Sequence, residues 1–98
     1  MGHEGSRQIV RMDVSFKGCV QGVGFRYTAV SIAVIRRISG FVRNEPDGSV
    51  ALSAEGERED LLAFLSDLQS SHVSRYIDHL NVSWREAGGT FRGFVIAR

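Results

Sequence analysis

The feature that most constrains this chain is an abrupt change of period at Gly18-Cys19-Val20-Gln21-Gly22-Val23-Gly24-Phe25-Arg26. Before it, Val10, Met12, Val14 and Phe16 alternate with Arg11, Asp13, Ser15 and Lys17, which predicts a strand with one buried and one wet face. After it the alternation stops, and the length of the apolar run from Phe25 to about Arg37 predicts a helix. The β-branched residues in that run, taken alone, also suit a buried strand. The glycine segment is therefore read as a strand-to-helix turn. Glycines allow positive φ and close approach of a ligand to the main chain. A turn that opens a helix aims several unpaired N–H groups at one spot, which makes an anion site. Arg26 falls in the first helical turn, where a cation ordinarily costs about 0.3–1 kcal/mol. Its presence makes sense if an anion lies between the guanidinium and the N–H groups, because arginine stays charged and grips phosphate with two parallel bonds. The alternative is an arginine that reaches water beside a turn that only reverses the chain.

The rest of the chain supplies a scaffold for this turn. Ile38 to Arg43 reads as a second strand with Asn44 at its end, and Glu45-Pro46-Asp47-Gly48 carries a type I turn signal. Val50, Leu52 and Ala54 alternate in a third strand over Ser49 to Glu55. Glu57, Glu59 and Asp60 suit the start of a second helix, whose apolar stripe is Leu61, Phe64, Leu65 and Leu68. Ser70-Ser71-His72 breaks it. Leu80, Val82 and Trp84 alternate in a fourth strand that begins near Tyr76, and Ile77 is out of phase, which predicts a bulge near Asp78 or His79. Ala87-Gly88-Gly89-Thr90 is a loop, and Phe91 to Ala97 is a short last strand. The order β-α-β-β-α-β with right-handed crossovers gives an α+β, ferredoxin-like α/β sandwich, an antiparallel sheet carrying two helices on one face. A Val30/Val34 ridge on the first helix is expected to stay outside the core.

Composition limits the function classes. The 98 residues suffice for a single domain over 9–98, preceded by a flexible tail over 1–8. A formal charge of +1 gives no reason to expect nucleic acid as a partner. The single cysteine, Cys19, rules out a disulfide within the chain and fits a reducing, cytoplasmic setting. No apolar run has the length of a membrane span. Met1-Gly2-His3-Glu4-Gly5-Ser6 fits the short N-myristoylation pattern, but so polar a start reads more simply as a tail. His3, His72 and His79 lack the paired spacing of metal ligands, so no metal is expected. Cys19 lies in an electropositive turn, yet no histidine near it in sequence would activate a thiol nucleophile. Asn44 has two readings: it bonds the backbone of its own turn, or its amide orients a water beside the anion loop.

The two blocks Gly18-Cys19-Val20-Gln21-Gly22-Val23-Gly24-Phe25-Arg26-Tyr27 and Gly40-Phe41-Val42-Arg43-Asn44, the second continuing through Asp47-Gly48-Ser49-Val50, together resemble the signature of the acylphosphatase family. The resemblance extends from about Ile9 to Arg98 and is weak beyond Glu55. It implies hydrolysis of the carboxyl–phosphate bond of acyl phosphates by a monomer without metal or organic cofactor. It assigns phosphate binding to Arg26 and to the main-chain N–H groups of Gln21, Gly22, Val23, Gly24, Phe25 and Arg26, and the positioning of the attacking water to Asn44. Expected partners are then a small-molecule acyl phosphate and inorganic phosphate. Some positions depart from the family pattern. Cys19 stands where a basic residue is usual, and Phe41 replaces a tryptophan or tyrosine. Arg36-Arg37-Ile38 replaces Leu-Gly-Leu, which places Arg37 at a left-handed helix end and Arg36 at a core position.

Two other functions fit the same scaffold. A non-catalytic phosphate-binding regulatory module needs Gly22, Gly24 and Arg26 but no water-orienting group, and the intact Asn44 argues against it. An RNA-binding domain of this topology needs an exposed aromatic platform on its central strands. Arg11, Asp13, Ser15 and Lys17 occupy those outward positions on the first strand instead.

Overall fold

A computed structural model describes residues 8–98. The Met1–Ser6 pattern, His3 and all but the last residue of the expected tail lie outside the described residues. The elements run β1 (Ile9–Gly18), α1 (Phe25–Arg36), β2 (Ser39–Asn44), β3 (Val50–Glu57), α2 (Arg58–Gln69), a 3₁₀ turn (His72–Tyr76), β4 (Ile77–Glu86) and β5 (Phe94–Ile96). The sheet order is β4-β1-β3-β2-β5. β1 pairs antiparallel with β3 and β4, and β2 with β3, as the ferredoxin-like reading requires. The last strand differs from expectation in two ways. It is confined to Phe94–Ile96, and it runs parallel to β2 rather than antiparallel. Local periodicity carries no information about strand direction, which is set by the long connection from β4.

One face of the sheet and both helices share a single core. Met12, Val14 and Phe16 of β1 and Leu52 and Ala54 of β3 are buried together with Ala29 and Ala33 of α1 and Leu61, Phe64 and Leu68 of α2. Residues two apart on a strand share a face, so every alternating set predicted above points inward. Ala29 and Ala33, four apart, give α1 a narrow buried stripe. Val30 packs against the core, so the expected Val30/Val34 ridge does not form; α1 instead leaves Tyr27, Val34 and Ile35 exposed. Among the described residues no helix is long and apolar enough to cross a membrane.

Local irregularities follow the sequence closely. Lys17 pairs with His79 and Gly18 with Ile77, so Asp78 is the extra residue of the expected bulge. Gly18 has φ 132°, and a Cβ there would lie 2.3 Å from the Tyr76 carbonyl oxygen. At the end of α1, Arg37 is left-handed (φ 58°, ψ 43°) and its N–H bonds the Ala33 carbonyl. Arg36 avoids the core: its Nε donates to Asp67 Oδ2 at 2.8 Å and ties α1 to α2.

The opposite face of the sheet carries a strap. Glu55, buried on β3, accepts from the N–H groups of Gly88 (2.8 Å) and Gly89 (3.1 Å). Phe91 meets the ring of Phe41 edge-on at 5.8 Å, and the Gly93 carbonyl accepts from Gly40 N–H at 2.9 Å. The segment after β4 therefore crosses the sheet from one edge to the other before entering β5. Phe41 keeps a packing role here.

Candidate active site

The glycine segment is pinned on both sides. Val20 and Phe25 are buried, and the Phe25 ring lies 4.8 Å from that of Phe16 on β1. Between them Gly22 (φ 80°) and Gly24 (φ 82°) adopt the left-handed conformation, with open space where a Cβ would stand. Glycine is used here for its backbone freedom rather than for lack of room. Gly24 is the N-cap of α1 and offers no side chain to the first-turn N–H groups. Its carbonyl accepts from the N–H and Oγ of Thr28 at 3.0 and 2.9 Å, which starts the helix. The first turn holds no acidic residue. Its N–H groups have no intrahelical acceptors and its dipole end is positive, so the local field favours an anion.

Gln21 locks this loop to the turn that follows β2. Its Nε2 donates to the carbonyls of Glu45 (2.8 Å) and Ser49 (2.9 Å). That turn is closed by Gly48 N–H to Glu45 O at 3.1 Å, and Asp47 Oδ1 accepts from Ser49 N–H at 2.9 Å and its Oγ at 2.6 Å. Hydrogen bonding within Asp47 and Ser49 outweighs burial and holds the Asp47 carboxyl below the usual carboxylate range. Asp47 and Gln21 thus do the work that spacing alone offered to Asn44. The side chain of Asn44 makes no hydrogen bond among the described residues, and its Oδ1 is buried without a partner.

Arg26 and Asn44 meet in one open cleft of about 460 Å³, whose other walls are Tyr27, Ile96, Ala97 and Arg98. Among the described residues the Arg26 side chain has no ion pair or hydrogen bond. Of the other residues singled out from the sequence, Gln21, Gly22, Val23, Gly24 and Phe25 do not line this cleft. Val23 packs against the core and Phe25 is part of it. Cys19 is a free, exposed thiol outside the cleft. Sequence reasoning missed Tyr27, Ile96, Ala97 and Arg98. The last three reach the cleft because β5 lies parallel to β2 and continues toward Asn44, an arrangement with no local signature.

The acylphosphatase family model matches residues 12–96. A protein named acylphosphatase from Arthrobacter sp. (strain FB24) is 40% identical over 89 residues, spanning 91% of this chain and 82% of that protein. An acylphosphatase of Salinibacter ruber is 35% identical over 88 residues, spanning 90% of this chain and 93% of its own. The crystal structure of acylphosphatase from Bacillus subtilis superposes with a TM-score of 0.84 at 28% identity, covering 91% of this chain and 99% of that one. The chain belongs to the acylphosphatase family.

Proposed function

We propose that this protein hydrolyses acyl phosphates to a carboxylate and inorganic phosphate, with Arg26 and the main-chain N–H groups of 21–26 holding the phosphoryl group and Asn44 aiming the attacking water. The observation that carries this reading is one cleft lined by both Arg26 and Asn44, whose side chains have no hydrogen-bond or ion-pair partner among the described residues. Water oxygen forms a bond to phosphorus as the phosphorus–oxygen bond to the acyl group breaks, and the electron pair leaves on the carboxylate. Negative charge builds on the equatorial oxygens, where Arg26 and the N–H groups stabilise it. A carboxylate is a good leaving group, so no protein acid is required. The Asn44 side-chain amide hydrogen-bonds the water and holds its lone pair toward phosphorus. An amide is a poor base, so the water's proton passes to a phosphoryl oxygen and leaves with inorganic phosphate.

The same reading has the protein working as a monomer in the cytoplasm. Its single cysteine is a free thiol, which supports the reducing setting. The test is release of phosphate from benzoyl phosphate in the presence of a chelator. Wild type turns over, and Arg26→Ala loses about 100-fold or more in kcat/KM, the scale of removing one oxyanion donor, with an unchanged far-UV spectrum. Saturable phosphate binding without turnover would replace the hydrolase by a binding module.

A further inference from the structure

The hydrolysis proposed above uses one guanidinium, whereas the cleft contains two. Arg26 and Arg98 both line it, and none of its walls is formed by Asp or Glu. Arg98 is exposed and, like Arg26, has no ion pair or hydrogen bond among the described residues. The two arginines arrive from different parts of the fold. Arg26 is delivered by the first turn of α1. Arg98 is delivered by β5, whose parallel register on β2 runs Gly40 to Phe94, Phe41 to Val95 and Val42 to Ile96. The ladder continues one step further, because Ala97 N–H bonds the Val42 carbonyl at 2.9 Å. Carried on at the same offset, residue 98 comes abreast of Asn44.

We propose that Arg98 is a second clamp on the phosphoryl group, closing the cleft from the β5 side while Arg26 closes it from the helix side. This inference rests on the hydrolase reading for its substrate. In-line attack decides which part of that substrate Arg98 meets. The acyl group departs from the side of phosphorus opposite the water, and the water is held by Asn44. A guanidinium carried in beside Asn44 therefore faces the phosphoryl oxygens rather than the acyl chain. A fully ionised acyl phosphate carries two negative charges on that group, and one arginine neutralises only one. A second guanidinium matches the dianion, with its two N–H donors suited to a pair of oxygens. Product phosphate presents the same oxygens and is held the same way.

The experiment measures binding of inorganic phosphate by calorimetry, together with KM and kcat for benzoyl phosphate and succinyl phosphate. It compares wild type, Arg98→Ala and Arg98→Lys, with circular dichroism to check folding. Arg98→Ala is expected to weaken phosphate binding about tenfold to 100-fold, the range for loss of a charge-assisted hydrogen bond. KM should rise by a similar factor for both substrates, and kcat should change less. Arg98→Lys should recover part of the loss, because it returns the charge without the fork. Unchanged phosphate affinity and KM in Arg98→Ala overturn the proposal. So does a loss confined to succinyl phosphate, which would assign Arg98 to the acyl group. Wild type that binds phosphate but hydrolyses neither substrate removes the hydrolase reading and leaves the clamp standing or falling on the binding data. Wild type that does neither removes both.

Discussion

Asn44→Ala should make the protein more stable and less active at once. The Oδ1 atom is buried and has no partner among the described residues, and leaving a buried acceptor unsatisfied costs about 1–3 kcal/mol. Truncation to Ala removes that cost. It gives up almost no apolar burial, because the lost atoms are an amide. It breaks no hydrogen bond among the described residues, since the neighbouring turn is closed by Asp47, Ser49 and Gln21. A net gain of about 1 kcal/mol follows, which for a domain of this size raises Tm by roughly 4–8 °C. Hydrolysis should fall by about 100-fold or more, on the scale of losing a preorganised polar group at the reacting centre. Phosphate binding, which uses Arg26 and the main chain, should survive. The assays are thermal melts without phosphate, calorimetric titration with phosphate, and steady-state hydrolysis of benzoyl phosphate. A variant that melts lower while retaining full turnover would refute the reasoning and return Asn44 to an ordinary turn residue.

Other outcomes test the surroundings. Arg37 pays the left-handed penalty of a residue with a Cβ, so Arg37→Gly should be more stable than Arg37→Ala by about 1 kcal/mol in urea melts. Turnover should be the same in both, because the two ends of α1 are about 16 Å apart. Gln21→Ala removes both bonds to the turn after β2 and should cost about 1–2 kcal/mol in the same melts, with weaker phosphate binding. Burial raises the Asp13 pKa, but hydrogen bonds from Ser53 and Arg11 and the charges of Arg11 and Arg85 outweigh it and hold the carboxyl below the usual carboxylate range. A depressed folded pKa gives stability that is complete above the unfolded value and fades as pH falls through the folded one. Asp13→Asn should therefore flatten the acid limb of the stability profile, as read by melts between pH 5 and 2.

Much of the scaffold was legible because burial writes itself into period. Met12, Val14 and Phe16, and the stripe from Leu61 to Leu68, point inward because any other register would expose them. The bulge at Asp78 was legible as a break in period, whereas the left-handed end at Arg37 was expected only from the resemblance to a family with glycine at that position. The half-buried Val30 was not, since a run of β-branched residues does not say where its buried stripe ends. The cleft was half legible. Arg26 and Asn44 sit beside punctuating residues that mark them, whereas Ile96, Ala97 and Arg98 depend on a parallel pairing across the sheet. The spacing also misdirected the reading of Asn44 toward its own turn, because Gln21, more than twenty positions earlier, does that job.

The strap across the outer face leads to a different kind of consequence. Among the described residues β5 is three residues long and is hydrogen-bonded along one side only, yet its last residue and the two that follow it, Ile96, Ala97 and Arg98, supply half the walls of the cleft. Such an edge frays at a free energy well below that of global unfolding, so the enzyme's competence has its own melting behaviour. Warming is therefore expected to free the final strand from β2 before the two helices loosen, so activity should be lost below the temperature at which the fold collapses. Weakening the Glu55 clasp on Gly88 and Gly89 should widen that gap.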